Sequence, residues 1–301
     1  MTYFLNLRSH AVGGWLDSAA IPKIQLDPLA TVEGFTQNLA TLPQFKTDMR
    51  GQHVLIGTHG FNVDYVNGAG QLSYWGSLLQ LPPGSAFVGL LWPGDSVWAH
   101  GLDYPEEPKV ADETGEKLGP LLDDWLADAA SVSFVSHSLG ARVVLQTANQ
   151  MKLQPARMML MAGAIDDDCL NKEFKTAAGG VGAISVLASK KDAVLGLAFP
   201  LGNLVAGIID QGHPWWRGAL GRSGPSKPRP ANFRAPFEIP NYWEYGHQHY
   251  LQDDPKAGGQ IAIPADVPKN GSPKPLLDAD GDPVPGWQEA FSAAFVSTRI
   301  R

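Results

Sequence analysis

The chain has 301 residues, of which 44% are hydrophobic and 18% are charged, an ordinary composition for a folded domain with a substantial core. Its formal net charge of −7 argues against a nucleic-acid partner, because phosphates require a basic surface. The single cysteine, Cys169, excludes an intramolecular disulfide.

The start of the chain lacks a basic region followed by a long apolar core, so we expect no signal peptide and a cytoplasmic protein. The most apolar run, Ala193–Ile209, is short for a membrane span and contains Pro200 and Asn203. We therefore expect no transmembrane helix.

The first third of the chain contains two strand signals and two helix signals. Thr2–Leu7 is typical of a first strand or a tail, and His53–Thr58 is a short apolar run typical of a buried strand. The apolar spacing over Leu29–Leu42, with Val32, Phe35, Leu39 and Leu42 on one face, predicts a helix. A second helix is predicted over Gln71–Leu81, ending at the prolines that follow.

The pattern then alternates between strands and helices. Strands are predicted at Ser85–Trp92, Val132–Val135, Arg157–Ala164 and Ala183–Ala188, and helices near Asp112–Ala129, from Ala141 and at Cys169–Thr176. Such alternation favours an α/β fold with a mostly parallel, doubly wound sheet, and continuous apolar runs are typical of buried parallel strands. Active sites of such sheets lie beyond the carboxyl ends of the strands.

The segment 196–235 interrupts this alternation of strands and helices. We interpret it as a lid or cap inserted into one domain that spans residues 1–301; the alternative is a crossover helix with a long surface loop. Phe237–Tyr245 is expected to hold the last strand, and Trp287–Ile300 has the spacing of a helix.

Ser138 lies at the apex of a predicted tight turn between a strand and a helix. Small residues, Ser136 and Gly140, stand two positions before and after it, as close packing around a strained turn requires. The usual pattern is Gly-x-Ser-x-Gly, and Ser136 replaces the first glycine. We therefore expect Ser138 to be a nucleophile.

A serine nucleophile needs a base, usually a histidine oriented by a carboxylate, and in this class of fold the acid precedes the base in the chain. His247 follows the expected last strand, and Gly246 allows a sharp turn toward the sheet. We favour His247 as the base, with His249 as the alternative.

The acid is expected directly after a strand that lies between the nucleophile and the base. Asp192 follows the strand predicted at 183–188 and is the favoured acid. The run Asp166–Asp168 is the alternative, although acids in that position are also typical of a helix N-terminus.

Ester hydrolysis also needs hydrogen-bond donors for the tetrahedral oxyanion. We assign the backbone N–H of Leu139, which follows the nucleophile, and the N–H of Phe61, where Gly60 permits close approach. Side chains expected near the substrate are Phe61, Asn62, Trp92, Leu195, Phe199 and Trp215.

These motifs resemble the α/β-hydrolase superfamily, and within it the DUF900-like bacterial hydrolases. The resemblance covers about residues 50–250 and rests on His59–Val63, Trp92–Gly94, Tyr104, Ser136–Val143, Lys191–Leu195 and Gly246–His247. It implies a serine hydrolase whose catalytic triad is Ser138, Asp192 and His247.

We expect this enzyme to cleave small carboxylic esters without a cofactor, with apolar groups in the acyl or alcohol part. Thioesters, amides and lipids are alternative substrates, and a binding or scaffold protein on the same fold is the alternative function. The sequence leaves the oligomeric state open.

An acidic repeat near the C-terminus has the spacing of a calcium loop, with Asp278, Asp280, Asp282 and Glu289. Pro283 stands where that loop needs a flexible glycine. We therefore expect an acidic turn there and no metal site.

Overall fold

The computed structural model describes the parts of the chain that build one central sheet and its flanking helices. They are residues 2–17, 19–79, 81, 83–95, 107–196, 218–234, 238–239, 241 and 245–250, with the two-residue strands 253–254, 260–261, 276–277 and 283–284.

Within the described residues, eight strands form the sheet. In chain order, they are β1 Tyr3–Asn6, β2 Lys23–Leu26, β3 His53–Thr58, β4 Ser85–Leu91, β5 Ser131–His137, β6 Arg157–Met161, β7 Ala183–Leu187 and β8 Phe233–Arg234. All neighbouring strands are parallel except β1 and β2, which are antiparallel. The spatial order of the strands across the sheet is β2-β1-β4-β3-β5-β6-β7-β8.

The α-helices whose bounds lie within the described residues flank the sheet or cap its strand ends. They are α1 Leu42–Met49, α2 Tyr65–Leu78, α3 Glu107–Trp125, α4 Gly140–Gln150, α5 Lys175–Gly180 and α6 Leu220–Ser223. Strands β3, β5 and β6 are almost entirely buried, as expected for parallel strands covered on both faces. Among the described residues, no helix combines the length and apolar character that a membrane crossing requires.

The predicted alternation of strands and helices is confirmed, and the elements between residues 53 and 188 agree with the predictions except at their ends. The largest shift is in α2, which begins at Tyr65 because the Asp64 side chain accepts a hydrogen bond from the Asn67 N–H and caps the helix. The predicted helix at 169–176 is divided into a 3₁₀ turn at Cys169–Asn171 and α5.

The predicted helix over Leu29–Leu42 is wrong. A 3₁₀ turn occupies Glu33–Thr36, and α1 begins only at Leu42, where the Thr41 side chain caps the Gln44 N–H. Val32 and Leu39 are largely exposed, so the apolar spacing does not mark a buried face. A β-carbon on Gly34 would lie 2.2 Å from the Leu29 carbonyl oxygen, which shows how tightly the chain turns there.

The predicted lid lies largely outside the described residues. Tyr104, the acidic repeat and the whole C-terminal helix prediction, 287–300, also lie outside them. The described part, 218–234, contains α6 and β8. Gly221 donates its N–H to the Gly163 carbonyl, and Ser189 donates to the Gly221 carbonyl, so α6 is tied to the ends of β6 and β7. The lid stays a prediction for the remaining residues.

Replacement of Phe45 tests where the N-terminal core lies. Phe45 is fully buried between Tyr3 and Trp125, so Phe45→Ala is expected to lower the free energy of unfolding by about 3–5 kcal/mol. Leu39→Ala, at an exposed position, is expected to cost less than about 1 kcal/mol. Urea denaturation measures both values, and equal losses would contradict this placement of the core.

Candidate active site

Three polar side chains meet at the carboxyl ends of β5 and β7 and near the last described helical turn. The His247 Nε2 atom lies 2.9 Å from Ser138 Oγ, and His247 Nδ1 lies 2.8 Å from Asp192 Oδ2. All three residues are buried. Since a carboxylate only accepts, Nδ1 carries the proton, and Nε2 is free to accept the proton of the Ser138 hydroxyl.

Ser138 occupies a strained turn. Its φ of 54° lies in the left-handed region, which costs a residue with a β-carbon about 1–3 kcal/mol. The turn is fixed because β5 is paired on both sides and the Ser138 N–H donates to the Met161 carbonyl at 3.0 Å. The hydroxyl is thereby presented at the N-terminus of α4, where the helix dipole favours developing negative charge.

Two glycines are required because the turn at Ser138 touches the loop after β3. A β-carbon on Gly60 would lie 2.7 Å from the Ser138 Cβ, and one on Gly140 would lie 2.5 Å from the His59 carbonyl oxygen. Ser136 is different, since it is still paired within the sheet with Thr58 and Leu160. A small side chain is therefore accommodated where the motif usually has its first glycine.

Asp192 is fully buried and doubly hydrogen-bonded. Besides its contact with His247, its Oδ1 accepts the Leu195 N–H at 2.9 Å. The Arg222 guanidinium, from α6, donates to the Asp192 backbone carbonyl. The His247 and Leu195 donors hold the carboxylate in one orientation and compensate for its removal from water, and Arg222 holds the Asp192 backbone.

The backbone of the histidine segment is held by side chains of the other two segments. His137, beside the nucleophile, donates its Nε2–H to the His247 carbonyl at 2.7 Å. Ser189, before the acid, donates its hydroxyl to the Tyr245 carbonyl at 2.6 Å. Two buried donors thus fix the backbone on either side of Gly246.

Two further histidines beside the site are buried and uncharged. Burial lowers the pKa of both His59 and His137 to about 3. His59 donates Nδ1–H to the Gly60 carbonyl at 2.9 Å, and its ring stacks on Trp92. Burial, and next the Asp192 carboxylate, raise the pKa of Tyr250, so its phenol stays protonated.

The loop after β3 is supported by the loop after β4. The Trp92 indole N–H donates to the His59 carbonyl at 2.9 Å, and the Asn62 N–H donates to the Gly94 carbonyl at 2.6 Å. Asn62 adopts a left-handed φ of 56°, and Phe61 is partly buried beside it. At the start of α4, the Ala141 N–H donates to the Ser138 carbonyl and the Arg142 N–H to the Leu139 carbonyl, and the Leu139 N–H precedes the first residue of the helix.

Asp192 contacts His247, whereas the alternative acids lie among other partners. Asp166 and Asp168 follow β6 and are engaged elsewhere: the Asp166 backbone pairs with Ala219, and the Asp168 carboxylate lies 2.7 Å from Lys172 Nζ. Trp92 and Leu195 are buried rather than exposed at an open mouth. Phe199 and Trp215 lie outside the described residues, so their contact with substrate stays a prediction.

A family model described as an alpha/beta hydrolase of unknown function (DUF900) matches residues 36–214, which is more than half of the chain. The chain belongs to the DUF900 family. The match includes Ser138 and Asp192 but ends before His247, and it begins after β1 and β2. His247 and the N-terminal strands of this DUF900 hydrolase therefore come from outside the matched region.

Comparison with solved structures finds esterases and lipolytic enzymes among those that match the chain, at low identity. Esterase PE8 shares 15% identity over 66% of this chain and 86% of its own, with a TM-score of 0.36. A structure reported for the metagenome-derived lipolytic enzymes LipS and LipT shares 11% over 69% and 90%, with a TM-score of 0.37. Butyrate-bound Est2 from Thermogutta terrifontis shares 7% over 69% and 78%, with a TM-score of 0.35. No curated protein sequence matches the chain.

Sequence reasoning missed the supporting residues of the site. Ser189 and Arg222 carry no motif. Arg8, whose guanidinium donates to the Trp92 carbonyl at 2.9 Å, lies more than a hundred residues before Ser138. The one available signal was Arg8 itself, a charged residue directly after an apolar strand. Within the described part of the chain, no group of His, Cys, Asp and Glu side chains is arranged to hold a metal ion.

The buried neutral histidines predict a pH dependence of stability. Unfolded imidazoles have a pKa near 6.5, whereas His137 in the fold has a pKa of about 3. The unfolded chain therefore gains a proton first, and stability that is complete above pH 6.5 is lost as the pH falls. Between pH 6 and 5, we expect His137→Gln to reduce the number of protons taken up on unfolding by nearly one. The slope of the unfolding free energy against pH decreases in proportion.

Urea denaturation across that pH range measures the slope. Ser136→Ala, a buried neighbour without a titrating group, is the control and should leave the slope unchanged. An equal slope in His137→Gln and the native chain would contradict a neutral buried imidazole at this position.

Proposed function

We propose that this protein is a serine hydrolase that cleaves carboxylic esters through an acyl-enzyme on Ser138. The observation that carries the proposal is the buried chain of hydrogen bonds from Ser138 through His247 to Asp192, at 2.9 and 2.8 Å. It supplies a nucleophile, a base and an orienting carboxylate in the geometry that acyl transfer uses.

In the first half-reaction, Ser138 Oγ forms a bond to the ester carbonyl carbon while its proton passes to His247 Nε2. The carbonyl π electrons move to the oxygen, which becomes the oxyanion. Collapse of this tetrahedral intermediate breaks the bond to the alcohol oxygen, and that oxygen takes the proton from His247. The product is the acyl-enzyme and free alcohol.

In the second half-reaction, water replaces the serine as the nucleophile. His247 Nε2 accepts a water proton as the oxygen bonds to the acyl carbon, and returns it to Ser138 Oγ as the ester bond breaks. Asp192 stabilises the protonated imidazole in both steps, because its carboxylate accepts the Nδ1–H.

The oxyanion is assigned to the backbone N–H groups of Leu139 and Phe61. Leu139 lies at the start of α4, so its N–H is added to the positive end of the helix dipole. Phe61 follows Gly60, whose missing side chain brings this loop against the Ser138 turn. The apolar character of Phe61 favours esters with apolar groups near the carbonyl, with Phe199 and Trp215 as further proposed contacts.

Substitution of the nucleophile tests the proposal. A fluorophosphonate probe is expected to label the native protein, and p-nitrophenyl esters of increasing acyl length are expected to be hydrolysed. Ser138→Ala should abolish labelling and lower kcat by at least about a thousandfold. Ser136→Ala is the matched control, since it removes a buried hydroxyl from the end of β5, two residues before Ser138, and should retain both signals.

The proposed acid is tested in the same assay. Asp192→Asn should lower kcat by about a thousandfold or more, because an amide fails to hold the productive tautomer, whereas Asp166→Asn should have little effect. A native protein that neither reacts with the probe nor hydrolyses any ester would contradict the proposal and favour a binding or scaffold role.

The His137 contact predicts a second, smaller effect on the base. His137→Leu removes the donor to the His247 carbonyl and should lower kcat about tenfold, since a loosened base is misaligned. His137→Gln keeps an N–H at a similar reach and should restore part of the loss. Steady-state kinetics normalised to labelled active sites measures both; equal kcat in all three proteins would contradict this role.

A further inference from the structure

Arg8 is a fully buried cation at the end of β1, outside the region that the family model matches. Strands β1 and β4 are parallel, with Asn6 opposite Leu91. Arg8 therefore lies beside the loop that follows β4, Trp92–Asp95. This is the loop that supports the proposed oxyanion segment.

The Arg8 guanidinium joins the two loops directly. Its Nη1 donates to the Trp92 carbonyl at 2.9 Å and to the Val63 carbonyl at 3.1 Å. Trp92 belongs to the loop after β4, and Val63 ends the loop after β3. Nη1 thus bridges both loops and leaves Nη2 and Nε to reach further acceptors, whereas a lysine ammonium carries its three donors on a single atom.

Asp95 neutralises this buried charge and extends the connection. Arg8 Nη2 donates to Asp95 Oδ1, and Asp95 Oδ2 accepts the Gly13 N–H at 2.9 Å. Arg8 Nε donates to the His10 carbonyl at 3.3 Å. Because the charge is paired and its donors are engaged, the cluster resists rearrangement.

A continuous series of contacts connects Arg8 to the Ser138 turn. Trp92, held by Arg8 through its carbonyl, donates its indole N–H to the His59 carbonyl. The next residue, Gly60, lies against Ser138 so closely that a β-carbon would be 3.3 Å from Ser138 Oγ. A shift of the Trp92 loop therefore displaces the segment that carries the Phe61 N–H.

We propose that Arg8 is a positioning residue that holds the oxyanion segment, His59–Val63, against the Ser138 turn. This inference rests on the proposed serine hydrolase function. Arg8 acts through Trp92 and Val63 and makes no contact with the reacting atoms. The N-terminal strand pair, β1 and β2, thereby contributes to the positioning of the active-site loops.

Arg8→Lys is the decisive variant, because it keeps the positive charge but its three donors, all on one nitrogen, do not serve the four acceptors of the guanidinium. Hydrogen exchange of peptides covering 59–63 should accelerate, since the Asn62 N–H to Gly94 bond is no longer held in place. With p-nitrophenyl acetate, kcat per active site should fall about tenfold or more while KM changes less than about twofold. Active sites are counted by fluorophosphonate labelling after prolonged incubation.

A trifluoromethyl ketone distinguishes positioning from a general loss of structure. It forms a tetrahedral adduct whose oxygen occupies the oxyanion position, so its affinity should fall by the same factor as kcat/KM. Arg50→Lys is the matched control, because the Arg50–Asp128 pair is exposed on both sides, and it should change none of these readouts. Asp95→Asn is a second test variant and should show a smaller change in the same direction.

The outcomes are separable. Unchanged exchange at 59–63 in both Arg8→Lys and Asp95→Asn overturns the proposal, as does faster exchange with unchanged kcat per site and unchanged ketone affinity. If the native protein shows neither labelling nor hydrolysis, the proposed function fails and the catalytic role of Arg8 fails with it. Hydrogen exchange of residues 59–63 then tests only whether Arg8 holds the loop after β3 in place.

Discussion

The close approach of two backbone turns is the constraint on which this site depends. The loop after β3 and the turn after β5 are adjacent because β3 and β5 are paired neighbours in the centre of the sheet. Their contact leaves no space for a side chain at Gly60 or Gly140. Glycine at these positions is thus a consequence of sheet pairing, and the strained φ of Ser138 is maintained by the same packing.

His247 is positioned through its backbone as well as its ring. His137 and Ser189 donate to carbonyls on either side of Gly246, and each comes from a segment that carries another member of the Ser–His–Asp arrangement. A buried neutral imidazole suits this purpose, since its single N–H is directed at one acceptor and it adds no charge beside His247. The three segments are therefore coupled to one another before any substrate is present.

The N-terminal strands β1 and β2 are connected to the loops of the site as well as forming one edge of the sheet. Arg8 lies where β1 meets the loop after β4, and the buried pair with Asp95 would be costly to leave half-satisfied. Such a cluster favours one arrangement of the loops over alternatives that are similar in hydrophobic burial. The contacts from Arg8 through Trp92 to His59 link the first residues of the chain to the site formed by its middle and its last described turn.

The sequence by itself determined the α/β class, the turn at Ser138 and the order of residues that follow strand ends, because these depend on local periodicity and on the sterics of one turn. It named Ser138, Asp192 and His247, which the fold brings within hydrogen-bond distance. Only the tertiary structure separated Asp192 from Asp166, since both follow buried strands and the difference lies in which strand end faces His247. It also decided against a helix over Leu29–Leu42, where local spacing was overridden by a capped start at Thr41, and it revealed Arg8, whose acceptors are remote in the chain.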